Sequence, residues 1–528
     1  MRNFATVSYV QILFLKKMKS MKRFYLLLML CLITFGGFAT NYYNTPSTDI
    51  STAANWNTNV SGSGGSTASD FTTSGDVFIL LNSGPTQGAA ISFGSGVTFY
   101  DSTSFTAGAN ITVNGTLIVS PGVTLDMATF QLLGTPATTI NNGTILTQNT
   151  TSTPIPTGMT WGGTVNYNGS TGSQTVMAGT YNNLTINNAS GATTQGDVTV
   201  NNALTLTAGN LDIGGYNLSF GSSASAVSGT FSATTMIIAS GGGEVRKYGT
   251  SSSTATYTFP IGDNTGTAEY SPITLTFSGG SYAGYSSVKV INSKQPNNAN
   301  TTNYLNRYWT VNQSGYSGFG CVVAATYVSA DVIGTQTSIL MGKWDGAIPW
   351  VRYTGSNSGY VLTSPSTTFS DFTGINSANP TVSISPSAPT ICSGSSVGLT
   401  ATGSGDPTLV YSWSPATGLS ATTGASVTAS PASTTIYSVT MTDGNGFTAT
   451  STSTVSVNSV PAAITGTTSA CIGTTTGLTD ATSFGAWSSS TPTVGTIGAG
   501  SGIVTQEYQQ AQQRLPILYL QVVIQLLP

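Results

Sequence analysis

The sequence predicts an all-β chain, a β-solenoid region followed by β-sandwich modules, and three observations predict it. Short runs alternate β-branched, aliphatic or aromatic residues with Thr, Ser and Asn, as in Leu204-Thr205-Leu206, which suits a pleated, half-buried surface. Helix-forming stretches are scarce, and 62 Gly with 21 Pro interrupt the chain at short intervals. A segment also recurs. Ile111-Thr-Val-Asn-Gly-Thr-Leu117 matches Val198-Thr-Val-Asn-Asn-Ala-Leu204, and after a one-residue indel Leu125-Asp-Met-Ala-Thr-Phe-Gln-Leu132 matches Leu211-Asp-Ile-Gly-Gly-Tyr-Asn-Leu218. The copies lie 87 and 86 residues apart, which fits about four coils of a solenoid at ~20–25 residues per coil. One coil buries too little to form a core, so stacking must do it.

The 528 residues suffice for about three or four domains. Met21-Lys22-Arg23 followed by the apolar run Phe24 to Phe35 reads as a secretory signal over 21–39, too short to span a bilayer and cleaved after Ala39; residues 1–20 then read as an upstream mis-start. Cys31 lies inside the apolar run, but Leu28-Met29-Leu30 lacks the small residues of a lipoprotein signal. The solenoid is expected over 40–228, with Thr164-Val-Asn-Tyr167 and Leu184-Thr-Ile186 as intervening strands. From about Phe231 the strands become longer and more aromatic, as in Thr256-Tyr-Thr-Phe259, Ile273-Thr-Leu-Thr-Phe277 and Tyr308-Trp-Thr-Val311, which predicts an antiparallel sandwich over 229–376. A polar linker leads to a module at 381–458 whose seven or so short strands, with Trp413 on a central one, follow the immunoglobulin-like pattern. A second such module, 459–505, is cut short. The tail 506–528 carries seven Gln where the preceding 505 residues hold nine, and Thr, Ser and Gly vanish from it. Back-translated and shifted by one base, it admits a Thr- and Gly-rich continuation of the module, so the tail is expected to be frameshifted.

Several of these segments carry a resemblance. Tyr181-Asn-Asn-Leu-Thr-Ile186, Val198-Thr-Val-Asn201 and Leu204-Thr-Leu-Thr-Ala-Gly-Asn-Leu-Asp-Ile-Gly-Gly215 resemble the solenoid of large bacterial surface proteins exported by type IX secretion. Phe259-Pro-Ile-Gly262, Tyr270-Ser-Pro272 and Leu305-Asn-Arg-Tyr-Trp309 resemble the sandwich that follows in such proteins. Ile391-Cys-Ser-Gly394, Tyr411-Ser-Trp-Ser-Pro-Ala-Thr-Gly-Leu419 and Thr442-Asp-Gly-Asn-Gly446 resemble their PKD-like, Ig-like repeats. The resemblance implies a secreted, adhesin-like protein at the cell surface. Two departures stand out. Phe447 occupies the place where similar modules carry a second Cys, so Cys392 is expected to be unpaired, and the sorting or anchoring domain that usually ends such proteins is expected to be lost with the frameshifted tail.

Composition narrows the chemistry. Only 6% of residues are charged, 14 basic against 17 acidic for a net charge of −3, so no field here would hold nucleic acid. The chain has no His, which excludes Ser-His-Asp and Cys-His catalysis and every His-ligated metal site. Glu244, Asp263, Glu269 and Asp345 could supply a carboxylate pair for glycoside hydrolysis, but most acids here adjoin Gly or Asn, where a turn role is favoured. The Asp443-Gly-Asn-Gly446 loop lacks the bidentate Glu of a calcium loop and reads as a hairpin turn. Gly62-Ser-Gly-Gly65 and Gly241-Gly-Gly243 precede no helix and no Lys-Ser/Thr, so they read as loops and not phosphate cradles. Cys321, Cys392 and Cys471 are odd in number and widely spaced, and no disulfide framework follows.

Among Tyr304, Tyr308, Trp309, Trp344, Trp350 and Tyr353, flat faces could stack on sugar rings. Trp309 shares its parity with Leu305, Arg307 and Val311 and is expected in the core, while Trp344 and Trp350 are the expected exposed pair and, with Tyr353, the candidate glycan-binding residues. The leading expectation is a secreted, non-enzymatic stalk or matrix protein, with extracellular glycans or a neighbouring cell surface as partners and no cofactor or metal. A carbohydrate-binding accessory protein and a solenoid glycosidase or lyase are the alternatives.

Overall fold

Alternating apolar and hydroxyl-bearing residues become stacked rungs because each short strand pairs in parallel with the strand one turn later, placing like on like. The computed structural model describes residues 40–506 apart from 62–63, 83, 250–254, 356, 472 and 482–485. The expected leader, the residues ahead of it and positions 507–528 of the tail lie outside the described residues. The protein is all-β, 49% strand and 2% helical, with a solenoid of about nine turns in its N-terminal half. It divides into two compact units, the first containing 40–378 and 444–447 and the second containing 379–443 and 448–506.

Each solenoid turn has three faces. The first stacks Asn41–Asn44, Val77–Leu80, Thr98–Asp101, Thr116–Val119 and Thr138–Asn141 in parallel. It continues through the first part of Met159–Tyr167, where Thr139 Oγ1 donates to Thr160 O at 2.8 Å, and then through 179–181, 198–200, Leu218–Phe220 and Val245–Tyr248. The second face runs from Phe105–Thr106 through Thr124–Asp126 and Thr144–Thr147 to the later parts of the long strands Met159–Tyr167, Gly179–Asn187 and Val198–Ala208. These long strands turn the corner between faces without a break, and their register shifts at Trp161/Thr164 and Tyr181/Asn183 supply the bend. The third face holds Ile91–Phe93, Ile111–Val113 and Leu132–Leu133, and higher up Gln174–Val176, Ala192–Thr194, Leu211–Asp212, Ile237–Ile238 and Ile261–Asp263.

Inside, the rungs build apolar ladders. Phe105, Leu125, Ile145, Val165, Leu184 and Leu204 stand in register on the second face, all buried. Burial of such side chains contributes roughly 1.5–3 kcal/mol each. This ladder corrects one expectation. Leu204 matches Leu117 in the sequence repeat, yet it stands in the column of Leu125. Each copy does close one full turn, Ile111 pairing with Leu132 and Val198 with Leu218, but one copy starts on the third face and the other on the first. The spacing is therefore four turns and one face. All three faces share one pattern, apolar inward and polar outward with a short corner, so the repeat reports a face and its corner and not a position around the axis.

The solenoid passes into the sandwich without a break in its sheet. The long corner-turning strands join the upper first face and the second face into one sheet, which among the described residues reaches 14 strands by adding Ser281–Ile291, Tyr308–Ser317, Asp371–Asn376, Ile339–Trp344 and Val351–Tyr353 in antiparallel pairing after Val245–Tyr248. Facing it are Thr256–Phe259, Ile273–Ser278, Gly320–Thr326, Val361–Ser366 and Asn357–Ser358. One buried cluster runs from Ile50 in the first turns to Phe372 in the sandwich. The run Gly241-Gly-Gly243 sits where backbones of neighbouring turns meet, since a Cβ on Gly243 would lie 1.8 Å from Tyr216 O.

The second unit packs three strands, Thr381–Ser385, Val397–Ser404 and Ser426–Ala429, against four, Thr390–Cys392, Thr448–Asn458, Thr435–Thr442 and Val410–Ser414. Between them lie Ile384, Leu399, Trp413, Tyr437, Val439 and Val455, and Trp413 Nε1 donates to Gly424 O at 2.9 Å. A separate four-stranded sheet follows from Thr465–Gly466 to Ile503–Gln506. Cys321 is buried, Cys392 and Cys471 are exposed, and all three are free.

Candidate functional site

Arg307 follows the short strand Tyr304–Leu305 and shares the inward parity of Leu305, Trp309 and Val311, so its guanidinium is carried into the core. Three carboxylates meet it there. Nε donates to Asp331 Oδ2 at 2.7 Å, Nη1 to Asp263 and Nη2 to Glu269. Asp263 ends the last third-face strand and is held by the Thr265 amide and Asn292 Nδ2, both at 3.1 Å, while the Val328 amide donates to Asp331 at 3.3 Å. Burial, and then the charge of Asp331, raise the pKa of Glu269 above the ordinary carboxylate value, and Arg307 opposes them. The four groups tie the top of the solenoid to the sandwich. Chemically the arrangement spends its carboxylates on one cation.

The other two sequence-predicted acids are also paired: Glu244 with Arg246 at 3.3 Å and Asp345 with Lys343 at 3.0 Å. The structure thus brings Asp263 and Glu269 together, adds Asp331 and Arg307, and leaves Glu244 and Asp345 elsewhere. Among the described residues no group of three or more His, Cys, Asp or Glu could hold a metal ion.

The aromatic candidates are split. Trp344 is half-buried and its ring lies 5.2 Å from that of Trp350, tilted by 41°. Trp350, expected to be exposed, is only 2% exposed: its indole packs on Trp344 and its Nε1 donates to Asn297 O at 3.2 Å. Tyr353 pairs with Met341 and Val351 with Lys343, so Tyr353 faces the side of the sheet opposite Trp344. There it lines a shallow groove of about 410 Å3 with Lys343, Val351, Cys321, Pro365 and Ser366. Burial raises the Tyr353 hydroxyl above its usual pKa and pushes the Cys321 thiol up to about 12, which leaves that thiol unreactive at neutral pH. Trp309 lies in the core as its parity predicts, with Nε1 donating to Ser271 O at 2.9 Å.

Sequence reading missed the cluster around Arg307. Its signal was available as one charged residue on an apolar parity, but its partners lie 24, 38 and 44 residues away. The Asp443-Gly-Asn-Gly446 segment joins two antiparallel strands in which Thr442 pairs with Thr448. Gly62-Ser-Gly-Gly65 falls partly outside the described residues. No family model matches the chain, and no curated protein matches it.

Proposed function

We propose that this chain is a secreted, non-enzymatic surface protein in which the solenoid is a stalk and the later modules are spacers or binding heads. One observation carries the reading: about nine turns on a continuous apolar interior, stacked at the ~4.8 Å strand spacing, make a rod of about 40 Å whose outer positions are mostly hydroxyl and amide side chains. The fate of the acidic candidates supports it, because all four sit in ion pairs. The finer assignment follows from the resemblance: export by a type IX system, PKD-like or Ig-like later modules and an adhesin-like role. Among the described residues no helix is long and apolar enough to cross a membrane. Surface biotinylation of intact cells producing a tagged chain is expected to label it, and labelling only after lysis would overturn the proposal.

A second reading, a carbohydrate-binding accessory protein, draws on the half-exposed Trp344 braced by Trp350. A Trp344→Ala change that abolishes retention on a polysaccharide column, with the melting temperature unchanged, would favour it; unaltered retention would exclude Trp344 as the platform.

A further inference from the structure

Where the solenoid passes into the sandwich, the outer side of the shared sheet carries a pair of tyrosines with a polar frame beside them. Arg246 and Tyr248 alternate with the buried Val245 on the strand Val245–Tyr248, so both point outward. The following strands supply their neighbours. Tyr248 pairs with Tyr285 and Tyr285 with Ser314, while Arg246 pairs with Ser287 and Ser287 with Asn312. The rings of Tyr248 and Tyr285 lie 5.4 Å apart, tilted by 57°, and the Arg246 guanidinium sits 4.9 Å from the centre of the Tyr285 ring. Tyr248 is 39% exposed. Glu244 Oε2 accepts from Arg246 Nε and Nη2, both at 3.3 Å, and its Oε1 accepts from Asn312 Nδ2 at 3.2 Å. The carboxylate thereby spans the intervening strand at Ser287, whose hydroxyl is buried and, among the described residues, has no hydrogen-bond partner.

We propose that this patch binds a neutral sugar ring of an extracellular glycan. The tyrosine faces take the apolar C–H side of the ring, as aromatic side chains with one polar end are suited to do. The Glu244 carboxylate, the Arg246 guanidinium and the Asn312 amide hold one another in place and present acceptors and donors to the ring hydroxyls, and hydrogen bonds to such charged groups are stronger than those between neutral ones. An anionic ligand fits poorly, because the guanidinium is already engaged by Glu244 and a second carboxylate or a phosphate would meet that charge. An extended peptide also fits poorly: Val245–Tyr248 and Ser281–Ile291 each have a strand on both sides, so neither offers a free edge for strand addition. The site deepens the reading of the later modules as binding heads and rests on it, but it does not depend on Trp344. That residue lies on the same side of the sheet, and Asp371 and Thr310 stand in register between it and Lys289 on the strand of Tyr285.

Electrophoresis of the full-length chain through native gels holding hydroxyethylcellulose, galactomannan or xylan, with polygalacturonate as the acidic comparison, tests the site. Retardation by at least one neutral polysaccharide is expected. Tyr248→Ala should weaken that binding at least tenfold and Glu244→Gln at least threefold, each with an unchanged melting temperature, while Trp344→Ala should alter it less than twofold. Retardation by polygalacturonate alone, or by no gel, overturns the proposal. Loss with Trp344→Ala and retention with Tyr248→Ala overturns it too and transfers the glycan to the other platform. None of these failures touches the surface assignment, which biotinylation reads separately. A measurement on the unaltered protein guards against misfolded variants: the retarding polysaccharide is expected to slow nitration of Tyr248 at least threefold by peptide mapping, and an unchanged rate overturns the proposal equally.

Discussion

Asp101 in the solenoid and Arg307 in the sandwich are both fully buried, yet only Arg307 is surrounded by opposite charge. Asp101 stands in register between Leu80 and Val119, and neither of its carboxylate oxygens completes a hydrogen bond. Burial raises its pKa well above the ordinary value, and the nearby Thr103 amide only partly opposes this. The difference follows from the two ways of pairing strands. Parallel stacking gives each residue the neighbours one turn before and after, and in an apolar ladder those neighbours cannot answer a charge. The sandwich folds distant segments onto one another, so Arg307 gathers partners from three separate places in the chain. Charge can be afforded inside the second construction and is exceptional inside the first.

Breaking the answered charge should have the largest effect. Arg307→Met strands Asp263, Asp331 and Glu269 without their cation, and a loss of about 3–5 kcal/mol in chemical unfolding is expected. Truncating the ladder comes next. Leu184→Ala or Leu204→Ala should cost about 2–5 kcal/mol each, and because the two residues are in register their double mutant should depart from additivity by at least ~0.5 kcal/mol. Leu117→Ala with Leu204→Ala should be additive, although those two residues match in the sequence repeat; strong coupling between them would reverse the column assignment.

Replacing the unanswered charge works in the other direction. Asp101→Val should stabilise the protein by about 1–3 kcal/mol at neutral pH. The pH dependence has a definite sign. A carboxyl whose folded pKa is raised contributes fully below its unfolded value near 4 and loses that contribution as pH climbs through the folded value, so the advantage of Asp101→Val should widen from about pH 4 upward. Glu269→Gln should remove a similar but weaker decline, since Arg307 offsets part of the shift. The smallest effect belongs to Asp345→Asn: its carboxylate is 45% exposed, and a change of no more than about 1 kcal/mol in thermal unfolding is expected.

Much of this was legible in the residues. Period-two alternation located the ladders, the burial of Trp309 and the core position of Trp413, because a strand commits each side chain to one side or the other. What alternation cannot carry is position around the solenoid axis, and so the match of Leu204 with Leu117 pointed to the wrong column. The Arg307 cluster was half legible: parity placed the cation inside, but pairing Asp263 with Glu269 required the return of the chain after Ile261–Asp263. Trp350 was misread because a tryptophan near a strand end looks available until its neighbours close over it.

The offset between the two repeat copies bears on how such a rod can change over generations. Since a stretch of chain fits equally well whichever side it begins on, gene segments need not be gained or lost in whole revolutions. An added piece one side long would lengthen the shaft and at the same time swing everything beyond it by a third of a circle, redirecting whatever is displayed there while the packing within stays the same.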